Sequence, residues 1–493
     1  MRLGQIAQIL GWAFLIVAGA MVLPLLDALL GGPELAAGFA GGLVSAAAVG
    51  GLVLTAFRGV TSGVPGRSRR FALAMPVLAF ATVPAVAALP LLLAGVAGPG
   101  TGYFMMVSAF TTTAATLTPA GQLADPVLLW RAEMAWLGGY AALLMVAAVL
   151  SVLNVGGMRL TQSGVIRGES NNLTGTLVHV AAPLAWIYVG FTGIVWVALW
   201  VGGAGLRGGL IGAFQAVATA GYPMPGPDGP GTAMTGGAIT GAVGPLLLLA
   251  TFLAGTNLTL LWRMFERATW RVWLRDPEIR GYAGLVFAAT GLFAVLLGDG
   301  EGGLAGWLAR LDRALTHAVA AISTTGLPDA AFLQDRPAVG LLMAVLALTG
   351  GCTASTAGGL KVMRVLLLFR QADLELRRLA HPNRVFRLRY AGRAIDRDRD
   401  LGGVWQAFLA ILGAFSIASL VLSFTGLSYR ETVAVVIASV ATAGPIAFSI
   451  DPGWAGFGDL DGLQRALVCV LMIAGRVEPA LIASFFIRRY WQA

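Results

Sequence analysis

The sequence predicts an all-α polytopic membrane protein: four M1–P–M2 pore-loop repeats in pseudo-fourfold arrangement, preceded by two extra N-terminal spans. Three observations carry this. The 493 residues are 57% hydrophobic and only 12% charged, with a mean hydropathy of +0.79, which excludes a soluble globular protein. Apolar runs of about 18 residues or more recur, each able to cross roughly 30 Å of hydrocarbon. Short Thr/Ala/Gly strings also recur, at 111–116, 218–222, 323–327 and 441–445. With Ala114, Gly221, Gly326 and Gly444 taken as equivalent, the steps are 107, 105 and 118 residues, a period regular enough to set the architecture.

The two N-terminal spans, 9–30 and 35–57, fill a segment 1–65 that has no copy of the string. The first is longer than a signal-peptide core and lacks a cleavage site, so it reads as a retained helix. Repeat one, 66–160, has spans 71–93 and 128–155 around a short helix 102–110. Repeat two, 161–275, has spans 177–201 and 239–265 around 210–217. Repeat three, 276–370, has a span 281–297, a short helix 311–320 and a long apolar segment 338–369. A cytoplasmic linker, 371–401, is rich in arginine and contains His381-Pro382. It accounts for most of the longer third step. Repeat four, 402–493, has spans 404–424 and 463–486 around 431–439. Ten crossings result.

The net charge of +9 does not point to nucleic acid, because its placement is topological. Arg58, Arg67, Arg69 and Arg70, then Arg159 and Arg167, Arg263 to Arg280, Lys361 to Arg399, and Arg488 and Arg489 occupy alternate loops. The intervening loops carry Asp125, Asp228, Asp299, Glu301, Asp329, Asp335, Asp451, Asp459 and Asp461. By the positive-inside rule both termini are cytoplasmic, and the implied surroundings are a lipid bilayer. Cys352 and Cys469 give no disulfide framework. The three histidines, His179, His317 and His381, are scattered. Neither enzyme chemistry nor a tightly bound cofactor is expected.

Short helices of this length cannot span. Each would stop mid-membrane with its partly negative C-terminus toward a common axis, which favours a cation. Unpaired backbone at that depth is tolerated where it lines a hydrated path, and rings of carbonyls can replace an ion's hydration shell. The expected filter residues are Thr112, Thr113 and Ala114; Thr219, Ala220 and Gly221; Thr324, Thr325 and Gly326; and Thr442, Ala443 and Gly444. Glycine at Gly221, Gly326 and Gly444 would permit the positive φ that aims carbonyls inward. Ala114 breaks the pattern, and its strand is expected to relax away from that geometry. The competing reading is that these small residues only let helices pack.

Two further anomalies stand out. A single helix over 338–369 would be roughly 48 Å long. Its middle, Gly350, Gly351, Cys352, Thr353, Ala354, Ser355, Thr356, Ala357, Gly358 and Gly359, should unwind into a loop able to obstruct the pore. A glycine-kinked tilted helix is the alternative. Arg476 lies deep in the last span, where a lone charge is costly. It either faces the pore as a barrier to cations or pairs with Glu478 or another carboxylate. Asn257 reads as an interhelical hydrogen-bonding residue.

These strings resemble the Trk/Ktr/HKT superfamily of potassium transporters over essentially the whole chain, closest to the bacterial Trk pore subunit. The resemblance rests on residues 128–139, 350–364, 381–383 and 475–478. It implies potassium uptake across a bacterial inner membrane, with K+ the transported ion. It also implies a filter at the residues named, a gating loop at 350–359 with Arg476 beneath the filter, and a homodimer with one pore per protomer. A cytoplasmic nucleotide-binding regulatory subunit, TrkA-like, is the implied partner. Ala114 and Ala357 stand where the family usually has glycine. In plant relatives a non-glycine residue at the first filter position accompanies sodium permeation. A Na+-permeable or weakly selective uptake system is therefore the alternative, and a multi-span scaffold or enzyme without a pore is the remote one.

Overall fold

Among the described residues of the computed structural model, six helices are long and apolar enough to cross a membrane: Gly4–Leu30, Pro33–Ala56, Ala74–Leu93, Val180–Ala204, Pro277–Leu296 and Gly402–Ser423. The chain is a membrane protein. The structure describes residues 3–31, 33–58, 69–146, 173–223, 225–226, 229–230, 242–266, 269–297, 303–326, 336–384, 386, 388–390, 393–395, 401–479 and 481. Several charged residues of the topology argument lie outside the described residues: Arg67, Arg159, Arg167, Arg267, Arg399, Arg488, Arg489, Asp228, Asp299, Glu301, Asp329 and Asp335.

The first two spans form the N-terminal hairpin, and the other four are the first helices of the expected repeats. The hairpin packs through glycine. A Cβ at Gly38 would lie 2.4 Å from the Ala94 Cβ, and one at Gly42 would lie 2.9 Å from Pro90. Small residues let helix backbones approach this closely where lipid supplies no hydrophobic drive between them.

The half-helices are Pro99–Phe110, Leu206–Ala218, the inner part of Gly303–Ile322, and Tyr429–Val440. Each is longer than the periodicity predicts. The third is extended most, because Arg310, Asp312 and Arg313 lie on the same helix as its buried end, Ala314 to Ile322. The fourth begins with a capping box in which Ser428 and Glu431 satisfy each other's backbone N–H groups.

The second helices are the irregular ones. Asp125–Met145 buries Arg131 and Glu133. The expected 239–265 span is broken into Val243–Ala254 and Leu258–Glu266. Asn257 makes the break rather than an interhelical bond: its Oδ1 accepts from the Thr259 N–H (3.1 Å) and hydroxyl (2.7 Å), starting a new helix. The 338–369 segment is likewise two helices, Pro337–Thr349 and Val362–Ala380, so the kinked single helix is ruled out. The last is Gly462–Val477. In the linker, Arg389–Tyr390 pairs antiparallel with Arg393–Ala394.

Candidate functional site: four half-helix ends and an intramembrane loop

All four half-helices end the same way. Thr112, Thr219, Thr324 and Thr442 adopt left-handed φ of 58°, 52°, 59° and 52°. The Thr112 N–H donates to the Ala109 carbonyl (2.8 Å) and the Thr113 N–H to the Ser108 carbonyl (2.9 Å). The same pair recurs as Thr219 to Ala216 (3.2 Å) with Ala220 to Gln215 (2.9 Å), and as Thr442 to Ser439 (3.2 Å) with Ala443 to Ala438 (2.8 Å). In the third, Thr324 donates to Ala321 (3.1 Å) and Gly326 to Ala320 (2.9 Å). In the three with both bonds this is the Schellman ending, whose left-handed residue is ordinarily glycine. A β-branched residue there is an outlier and costs roughly 1–2 kcal/mol. Strain repeated at four equivalent points is the mark of a functional site.

The four ends close into a ring. The Gly444 N–H donates to the Thr113 carbonyl (2.6 Å), joining the fourth string to the first. A Cβ on Gly221 would stand 1.9 Å from the Thr325 carbonyl oxygen, so the second string presses on the third. A Cβ on Gly326 would lie 3.2 Å from the Ile446 nitrogen, beside the fourth. The Tyr222 and Ser108 hydroxyls share a hydrogen bond (3.2 Å) between the second and first. The Thr112 and Thr442 hydroxyls are buried with no hydrogen-bond partner among the described residues.

Two expectations need correction here. Positive φ accounts for glycine at Gly326 (68°) but not at Gly221 or Gly444, which are not left-handed. Those two are glycine because neighbouring backbone fills the Cβ space: at Gly444 a Cβ would lie 2.7 Å from the Ala115 nitrogen and the Thr113 oxygen. Ala114 does not relax away. Its φ of 60° matches Gly326, so the first string keeps the same turn and bears the strain.

Residues 350–361 leave the helix axis as a closed spur. Its neck is tied by the Leu360 and Lys361 N–H groups, which donate to the Leu348 and Thr349 carbonyls (2.8 Å each). Left-handed residues Gly350, Ala354, Gly359 and Lys361 turn the chain. The neck is too narrow for side chains, since a Cβ on Gly350 would meet the Gly358 oxygen at 2.1 Å. Ala357 fits because Gly351, directly opposite, lacks a Cβ.

The spur docks on the break in the second repeat and under the half-helix ends. The Cys352 N–H donates to the Gly255 carbonyl (2.9 Å), and the Leu258 N–H to the Ala354 carbonyl (3.2 Å). The Thr356 hydroxyl donates to the Val217 carbonyl (2.8 Å). The Gly358 N–H donates to the Thr324 hydroxyl (2.7 Å). Lys361 Nζ turns back onto the Ala357 carbonyl. From below, Arg476 Nη1 donates to the Thr356 carbonyl (2.7 Å). Its Nε and Nη2 have no hydrogen-bond partner among the described residues. Glu478 pairs instead with Arg364 (2.8 Å), so the Arg476–Glu478 pair is overturned. Sequence reasoning missed Arg364, Glu278 and the helix break as parts of this site.

Comparison with known proteins follows the same outline. Residues 310–492 match the TrkH family, described as cation transport protein. The chain is 26% identical to the Trk system potassium uptake protein TrkH of Escherichia coli K12 over 499 residues, covering all of both chains. It is 29% identical to that of Halomonas elongata over 506 residues, again covering both completely. The crystal structure of the potassium transporter TrkH from Vibrio parahaemolyticus superposes with a TM-score of 0.87 at 24% identity, covering all of both chains. The Trk resemblance is borne out. The likeness to the crystal structure shows that the fold is that of TrkH. The relatives are transport proteins, not enzymes.

Proposed function

We propose that the chain is a Trk-type potassium uptake pore subunit of a bacterial inner membrane, with both termini cytoplasmic. The ring of four strained half-helix ends carries this reading. It gathers carbonyl-bearing backbone and two partner-free threonine hydroxyls at one point, and such groups can replace the water around a K+ ion. The half-helix dipoles supply negative potential there. Thr112–Ala114, Thr219–Gly221, Thr324–Gly326 and Thr442–Gly444 are the filter, one string from each of the repeats 66–160, 161–275, 276–370 and 402–493. The chain is a transport protein and not an enzyme.

The spur 350–359 is the gate. It lies against the ends of half-helices two, three and four. Arg476 holds it from the far side with two guanidinium nitrogens that have no hydrogen-bond partner among the described residues. Substituting Arg476→Ala should raise cation flux in the absence of any regulator. Deleting residues between Gly351 and Gly358 should give a pore that needs no activation. Two such subunits form a homodimer, each with its own pore, and a cytoplasmic nucleotide-binding subunit of the TrkA type sets the gate. The similarity to Trk system proteins supports these assignments.

Flux over Li+, Na+, K+, Rb+ and Cs+ in proteoliposomes of the purified chain tests the reading. K+ and Rb+ should pass best. Equal Na+ and K+ flux would establish the sodium-permeable alternative, and no cation-dependent flux from the loop-deleted protein would remove the pore. The left-handed Ala114 favours the selective reading, because its string keeps the turn of Gly326.

A further inference from the structure

The spur's best-held point faces neither the filter nor Arg476. At Thr353 both the backbone N–H (2.5 Å) and the hydroxyl (2.8 Å) donate to Oε1 of Glu278. Glu278 is in the first turn of Pro277–Leu296 and is buried. That helix start is itself fixed, because the Asp276 carboxylate caps the Glu278 and Ile279 N–H groups (2.9 and 3.2 Å). Two donors on one carboxylate oxygen form a charge-assisted anchor, stronger than a neutral hydrogen bond. A buried carboxylate is kept where its partners repay its desolvation, and here two of those partners belong to the spur.

The linker packs on the helix that follows the spur. Its short hairpin buries Tyr390 against Met363, Leu367 and Val404. Arg370 covers the ring at 5.6 Å and donates to the Arg389 carbonyl. Burial pushes the Tyr390 phenol well up. Through Tyr390, with Ile395 beside it, the linker packs against the helix Val362–Ala380 that continues from the spur. Met363 and Leu367 of that cluster belong to the helix that begins where the spur ends.

We propose that Glu278 is the positioning residue that keeps the spur seated, and that Tyr390 is the lever by which the linker acts on it. The inference rests on reading 350–359 as the gate. A cytoplasmic partner that shifts the linker hairpin would withdraw Tyr390 from Met363 and Leu367, on the helix that continues from the spur. Glu278 and Thr353 would then part, and the spur would leave the half-helix ends. Gating would thus reach the filter from the cytoplasm without any change in the filter strings, as expected of a two-state element biased from outside.

Cys352, buried beside Thr353, supplies a readout independent of transport. In full-length Cys469→Ser protein, the rate of Cys352 alkylation by a small maleimide is measured together with K+ flux and the K+/Na+ ratio. Glu278→Ala should label at least tenfold faster and raise regulator-independent flux, with the ratio unchanged. Tyr390→Ala should do the same to a smaller degree, while Tyr390→Phe, which keeps the packing, should match the parent. If Glu278→Ala does not reach the membrane, Thr353→Val and Tyr390→Ala carry the test. Labelling and flux at the parent's level in these variants would overturn the proposal. Faster labelling with no flux in any variant would leave the anchor standing and remove the gate reading instead.

Discussion

The first and third of the proposed filter strings differ from the second and fourth, although all four leave their half-helices by a left-handed threonine. In the first and third, the residue two beyond the threonine is also left-handed, Ala114 at 60° and Gly326 at 68°. In those two a hydroxyl pair braces the turn: Thr111 with Thr113 (2.8 Å) and Ser323 with Thr325 (2.9 Å). In the second and fourth the corresponding pairs are alanines, Ala218 with Ala220 and Ala441 with Ala443. There the glycine is not left-handed and instead abuts its neighbour's backbone. Opposite strings are thus alike and adjacent ones are not. Two strings are held by their own side chains, and the other two by pressing into those braced strings. The fourfold sequence period therefore carries a twofold mechanical pattern.

The largest effect should come from filling the contact between unlike strings. A methyl at Gly221 would stand 1.9 Å from the Thr325 oxygen, a distance no side-chain adjustment relieves, since both sides are backbone. Overpacking of this kind costs about 1–3 kcal/mol or more, which is about fivefold to over a hundredfold in an equilibrium, and a backbone clash this close belongs at the upper end. Gly221→Ala should lower K+ flux at least tenfold and collapse the K+/Na+ ratio. Gly444→Ala should follow it closely. Parental ratios in both variants, measured in proteoliposomes, would show that the strings do not bear on one another.

Gly326→Ala comes next and separates the two kinds of glycine. Its Cβ would find 3.2 Å of space to the fourth string, so the cost is conformational, about 1–2 kcal/mol for a left-handed alanine. Ala114 shows that the ring accepts that cost once. A roughly three- to tenfold fall in the K+/Na+ ratio is expected, smaller than for Gly221→Ala. The reverse order would mean that φ rather than contact governs all four positions.

Removing a brace is gentler. Thr113→Val and Thr325→Val each delete one hydroxyl and keep the shape, at about 1 kcal/mol for a hydrogen bond. A fall in selectivity of about fivefold or less is expected from each. In a double-mutant cycle the two should be nearly additive, because they sit in opposite strings.

What could be read from the sequence follows from what is local. The period of the strings, the half-helices and the unwinding at 350–359 depend on composition and spacing along one stretch of chain, and all were legible. The reasons for Gly221 and Gly444 were not, because the atoms that exclude a Cβ there belong to other strings, Thr325 for Gly221 and Thr113 to Ala115 for Gly444. Arg476 and Glu478 are two apart and invited pairing, yet the helix ends at Val477 and the left-handed Glu478 turns to Arg364, 114 residues earlier. Asn257 looked like an interhelical donor, but the adjoining glycine and threonines let it end one helix and start another. Glu278 gave no signal at all, since an acidic residue in the first turn of a helix ordinarily needs no further explanation.

The smallest effect should come from Ala114→Gly, which sharpens the comparison because it makes the first string match the third. Had the alanine strand given up the left-handed turn, this substitution would raise K+/Na+ selectivity. The turn is kept, with φ at 60° against 68° at Gly326, so glycine is not needed to form it. What glycine removes is strain, about 1–2 kcal/mol, offset by the greater freedom it gives the unfolded chain, about 0.5–1 kcal/mol. Net stability should therefore shift by no more than about 1.5 kcal/mol, and the K+/Na+ flux ratio should stay within about twofold of the parent. Thermal unfolding in detergent and flux in proteoliposomes measure the two separately. A clear rise in the ratio would mean that Ala114 displaces its carbonyl during permeation, and the sodium-permeable reading would regain its footing.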